Sequence, residues 1–84
     1  MITPGQIRAA RGLLDLTQAD LATKAGVSLP TIKRHEKGAS DHKVIEETRD
    51  KIQRALEKAG IEFLPENGGG AGVRLRKEKR RGAT

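Results

Sequence analysis

Cysteine is absent from the 84 residues, which excludes a disulfide framework and any thiolate metal site and makes a reducing cytoplasm the expected home. Tryptophan and tyrosine are absent too, and Phe63 is the single aromatic residue. Single-strand recognition by base stacking needs several aromatic platforms, so one ring argues against it. No apolar run approaches a membrane span, and the first residues lack a signal-peptide pattern. The expectation is a soluble, intracellular chain with no membrane partner. Catalytic constellations are missing as well: no nucleophile stands with a base, and no carboxylate pair marks a pocket. His35 and His42 have neither a cysteine nor an obvious third ligand with them. Neither an enzyme nor a metal or cofactor site is expected.

What is present is small and unevenly charged. A chain of this length forms one domain that buries only roughly 60–65% of its extended surface, so its core is modest and its stability marginal or shared with a partner. The net charge is +6, yet residues 1–73 hold eleven Lys and Arg against ten Asp and Glu. The basicity lies in the tail: six basic residues fall between Arg74 and Arg81 against Glu78 alone. The body of the chain should therefore present a local basic face rather than a basic whole, and residues 77–84 read as a disordered basic arm.

Thr3-Pro4-Gly5-Gln6 is a helix start, with a capping threonine, proline at the first helical position and a glutamine placed to reach back. Ile7, Ala10, Leu13 and Leu14 continue the apolar face of this first helix. Leu16 then precedes a second cap at Thr17, whose partner Asp20 suits the positive end of the helix dipole. Leu21, Ala22 and Ala25 recur at helical spacing until Gly26 stops the second helix. Ser28 caps a third, in which Ile32 faces inward while Thr31, Lys33, Arg34 and Lys37 point elsewhere. Leu29-Pro30 is an oddity: proline fits the first turn but disfavours helical geometry at Leu29, so this helix is expected to start late.

After a polar connection in which Ser40 or Asp41 can cap, a fourth and longest helix is expected from Val44 to Ala59. Its apolar positions are Val44, Ile45, Thr48, Ile52, Ala55, Leu56 and Ala59. Arg49 is grouped with the charged, solvated face, where Asp50 and Arg54 form an i,i+4 pair. A partner-helix interface on that face is the alternative. Beyond Gly60 the period switches to two. Ile61 and Phe63, then Val73 and Leu75, read as strands flanking a glycine-rich loop. No Lys-Ser/Thr follows those glycines, so they do not read as a phosphate cradle.

On these residues the stretch Thr17–Gly38 resembles the helix-turn-helix transcriptional regulators of the phage Cro and repressor type, the Xre family. Thr17-Gln18 opens the scanning helix and Ala22 is the small residue where helices cross. Gly26 makes the turn, Val27 and Ile32 are core, and Glu36-Lys37-Gly38 closes the recognition helix. The resemblance covers about residues 3–60 and implies a mainly α, four-helix Cro/repressor-like fold. Its recognition helix, residues 28–37, would enter the major groove of double-stranded DNA. Base or near-base contacts are expected from Leu29, Thr31, Lys33 and Arg34, with Ser28 beside them. Gln18, Lys37 and Lys43 are expected to position the phosphate backbone. The resemblance further implies that Arg11 pairs structurally with Glu36. Asp15 departs from the glycine many members carry there, and Leu29-Pro30 replaces residues that are often polar.

Phage repressors continue with a fifth helix. The strands and glycines here are instead similar to a compact bacterial branch of the family with a glycine-rich C-terminal extension. The expected organisation is a DNA-binding domain over residues 1–60, a β extension over 61–76 and the tail. An isolated hairpin is only marginally stable, so Ile61, Phe63, Val73 and Leu75 are expected to bury their apolar face, either against their own helices or as a homodimer contact. The function implied is a sequence-specific, repressor-like regulator. The alternative is an antitoxin or other interaction module that grips a protein partner through the extension.

Overall fold

The computed structural model describes residues 2–38, 42–66 and 68–76, with only the backbone at residues 42–45. Helices α1 (Pro4–Leu13), α2 (Gln18–Ala25), α3 (Leu29–Lys37) and α4 (His42–Lys58) precede strands β1 (Ile61–Leu64) and β2 (Gly72–Leu75). The fold is mainly α: four helices with a two-stranded antiparallel hairpin.

Local chemistry starts each of the first three helices. Thr3 Oγ1 accepts from the Gln6 amide at 3.1 Å while Gln6 Oε1 accepts from the Thr3 amide at 2.8 Å. Thr17 and Asp20 repeat the arrangement at 3.0 Å in both directions. Two amide protons that α1 or α2 would otherwise leave without partners are satisfied at each start. Ser28 caps α3 through the Thr31 amide at 3.2 Å, so Leu29 is helical and α3 begins on time despite Pro30. The chain leaves α1 through Asp15 at φ +57° and leaves α2 through Gly26 at φ +72°. The first is a left-handed position that an aspartate tolerates. At Gly26 nothing lies within 4 Å of where a Cβ would stand, so backbone conformation rather than space requires the glycine.

Packing joins these elements around one core. Ile7, Leu21, Ile32, Ile52, Leu56 and Ile61 are essentially inaccessible, and Ile2, Ala10 and Ala22 complete the buried set. Val27 is only half-buried, packed at the margin with Leu14, Leu16 and Phe63.

The hairpin belongs to this core. Register pairs Ile61 with Leu75 and Phe63 with Val73. Ile61 is 1% exposed and Phe63 and Val73 pack against the same cluster, whereas Leu75 is 51% exposed. Of the four residues expected at a dimer contact, Ile61 is therefore enclosed by its own chain, in the buried cluster that also holds Ile52 and Leu56 of α4. Gln6 fastens the hairpin from α1: its Nε2 donates to the Leu64 carbonyl at 3.2 Å and to the Gly72 carbonyl at 2.8 Å, one on each strand. Gln6→Ala should cost about 1–3 kcal/mol in urea denaturation, since two part-buried carbonyls lose their donor together. An unchanged midpoint would mean that the hairpin docks through its apolar face alone.

A second departure concerns Arg49. Expected on the solvated face of α4, it is 6% exposed. The Asp50–Arg54 pair does lie on the outer face, at 2.9 Å. No helix among the described residues is long and apolar enough to cross a membrane.

Candidate nucleic-acid interface

The sequence of α3 alternates its two faces sharply. Ile32, His35 and Glu36 are buried, at spacings of three and four residues, while Lys33, Arg34 and Lys37 are exposed and Leu29 and Thr31 half-buried. Everything that anchors the helix therefore comes from one side, and all four outward side chains after Pro30 carry a hydrogen-bonding group or charge. Ser28 and Thr31 are linked through their hydroxyls at 2.7 Å. This holds both side chains at the start of α3, beside Leu29.

Anchoring from α1 is polar. Arg11 Nε donates to Glu36 Oε2 at 2.8 Å and Arg11 Nη2 to Glu36 Oε1 at 3.1 Å, a two-pronged pair in which Glu36 is 5% and Arg11 24% exposed. The hydrogen bond to Glu36 raises the Arg11 pKa above its ordinary value, against the opposing effect of burial. Arg11 Nη1 donates to the Leu16 carbonyl at 3.0 Å, so the same guanidinium also fixes the link into α2. One turn earlier, Arg8 donates to the Glu36 backbone carbonyl in the last turn of α3.

Gln18 completes this cluster from α2. Its Nε2 donates to Glu36 Oε1 at 3.1 Å, so the side chain expected to reach a phosphate is aimed inward and steadies the carboxylate. With Arg11 on one side and Gln18 on the other, Glu36 ties α1, α2 and α3 together at one point.

Anchoring from α4 runs through Arg49. Its Nε donates to His35 Nδ1 at 3.0 Å, Nη2 to the His35 carbonyl at 3.3 Å and Nη1 to the Ile2 carbonyl at 2.8 Å. Accepting at Nδ1 requires a neutral imidazole with its proton on Nε2. Desolvation, then the charges of Arg49 and Arg34, push the His35 pKa below 6.5. Burial likewise lowers the Arg49 pKa.

Sequence reasoning missed Arg8, Arg49 and Gln6 as positioning residues. The side chain of Lys43, and those of Ser40, Asp41 and the tail, lie outside the described residues. No group of three His, Cys, Asp or Glu gathers in metal-binding geometry among the described residues.

No curated protein matches the chain. A family model does: residues 7–42, running from α1 through the turn and α3 to the first residue of α4, match the helix-turn-helix family, and it is to the helix-turn-helix domains that this part of the chain is similar in sequence.

Proposed function

We propose that the protein is a sequence-specific transcriptional regulator of the Xre type, acting as a repressor by occupying double-stranded DNA. The observation that carries this reading is the division of α3. Its inner face is locked by Ile32, His35 and Glu36, and its outer face offers Thr31, Lys33, Arg34 and Lys37 with Leu29 at its start. A helix held so firmly from behind suits insertion into a major groove, where Arg34 reads guanine and Leu29 meets a thymine methyl. Lys37 holds a phosphate, and Lys43 is assigned the same role. The protein works in the bacterial cytoplasm, and two copies bind as a homodimer that sets recognition helices roughly 34 Å apart on a palindromic site. With Ile61 inside its own core, the surface left for pairing on the hairpin is Leu75 and the margins of Phe63 and Val73.

Titration of a duplex from the protein's own upstream region against a scrambled duplex tests the reading. Arg34→Ala should lose about 1–3 kcal/mol on the cognate duplex and little on the scrambled one, with footprints at two half-sites one helical turn apart. Unchanged affinity for both duplexes would mean that α3 does not present this face to DNA.

A further inference from the structure

We propose that the cleft between α1 and α3 seats a phosphodiester of the DNA backbone, gripped by Arg8 together with Lys33 and Lys37. This rests on the DNA-binding reading and assigns Lys33, grouped above with the base-reading side chains, to the backbone.

The cleft measures about 610 Å³ and is lined by Arg8, Gln18, Lys33, Glu36 and Lys37. Lys33 and Lys37 stand one helical turn apart on α3, a spacing at which like charges repel each other. Arg8 brings a third cation to the same cleft from a different helix. An anion between them relieves the repulsion and gains charge-assisted hydrogen bonds from both walls.

The one acid in the lining does not oppose this. The Glu36 carboxylate is occupied by the two-pronged contact from Arg11 and by the Gln18 amide. Counting Arg11 behind it, four cations answer one carboxylate. Arg8 is also held in place, because it donates to the Glu36 backbone carbonyl. A guanidinium carries five N–H donors in a fixed fork, so that contact leaves others to point into the cleft.

Size and shape decide between a free ion and a polymer. The space is many times that of one phosphate group and open to solvent, so an isolated ion would keep most of its water there. A backbone passing through it is delivered by the rest of the interface and meets the cations without that competition. Arg8 thus extends the DNA-binding surface onto the first helix, outside the two-helix motif itself.

The test is the salt dependence of duplex affinity by fluorescence anisotropy, between about 50 and 200 mM salt, where each phosphate neutralised contributes a slope of about 0.9. Wild type, Arg8→Gln, Arg8→Lys and Lys33→Gln are compared on cognate and scrambled duplexes. Arg8→Gln and Lys33→Gln should each flatten the slope by about 1 and weaken both duplexes alike, while Arg8→Lys keeps the wild-type slope. Lys33 is exposed and decides the matter if Arg8→Gln fails to fold, since a base-reading Lys33 would weaken the cognate duplex alone. A wild-type slope in the glutamine variants overturns the site. So does an Arg8→Lys variant that behaves like Arg8→Gln, which would make Arg8 only a brace for α3. Inorganic phosphate that competes with duplex beyond its ionic strength would mean a free-anion site and overturn the backbone assignment. Wild-type protein that binds no duplex at any salt overturns the DNA-binding reading, and this site with it.

Discussion

Glu36→Ala should lower the melting temperature by about 12–24 °C, corresponding to about 3 kcal/mol for a domain of this size. The carboxylate is 5% exposed and takes three donors, two from Arg11 and one from Gln18. Truncation leaves Arg11 without its counter-charge and Gln18 without its acceptor, and it opens a gap where α1, α2 and α3 meet. Arg11 is 24% exposed, so its guanidinium recovers some hydration, which keeps the expected loss at the lower end of what broken buried pairs cost. The double variant Arg11→Met, Glu36→Leu should regain much of that stability, because removing both charges leaves nothing desolvated and unpaired. Circular dichroism melts of the three proteins check this. A single variant that melts with wild type would show that the pair contributes nothing to holding α3.

The second large effect is on acid stability. His35 accepts a hydrogen bond from Arg49 only when neutral, and its pKa is held below 6.5 in the folded protein by burial first and by the charges of Arg49 and Arg34 after it. In the unfolded chain the imidazole takes up its proton as pH falls through 6.5, whereas the folded chain resists. The unfolded state binds more protons in that window, so stability is fully present above about pH 6.5 and falls as pH drops toward the folded pKa. One such group gives a slope of at most about 1.4 kcal/mol per pH unit. Melting temperatures from pH 8 down to 5 should therefore decline in the wild type below pH 6.5. His35→Gln should be less stable at pH 8 and should lose that decline. A flat wild-type profile would mean that the His35–Arg49 contact does not survive in solution.

The helices were legible because their starts and stops are written locally. Thr3 with Gln6, Thr17 with Asp20, and Ser28 with Thr31 are three residues apart, and the hydrogen bonds they make span no more than that. The hairpin was legible from the change of period at Gly60. What sequence missed lies where chemical type and position disagree. Arg49 falls four residues after Ile45 and three before Ile52, within the apolar stripe of α4, yet its charge suggested solvent. His35, three residues after Ile32 on α3, holds an inward position of the same kind, in keeping with its expected place at the edge of the core or on the DNA side. Position won in both, because each polar group found the other: Arg49 reaches His35 and the Ile2 carbonyl, and none of those partners is near it in sequence. Gln6 was read as a cap and is one, but its Nε2 also holds a hairpin some sixty residues away, and no local pattern encodes that second task. For the candidate interface, residue types pointed to the outer face of α3. They gave no sign that Gln18 turns inward or that Arg8 borders the same cleft as Lys33 and Lys37.

The reach of Gln6 has a consequence for the order in which the molecule is completed. A hydrogen bond cannot form before both partners exist, and the Gly72 carbonyl is made 66 residues after Gln6. The Ile2 carbonyl likewise waits 47 residues for Arg49. During synthesis, then, α1 leaves the ribosome ahead of α2, α3, α4 and the hairpin, and although Glu36 reaches Arg8 and Arg11 early, Gln6 waits for both strands. Until β2 has emerged, the face of α1 that will carry the hairpin remains in water.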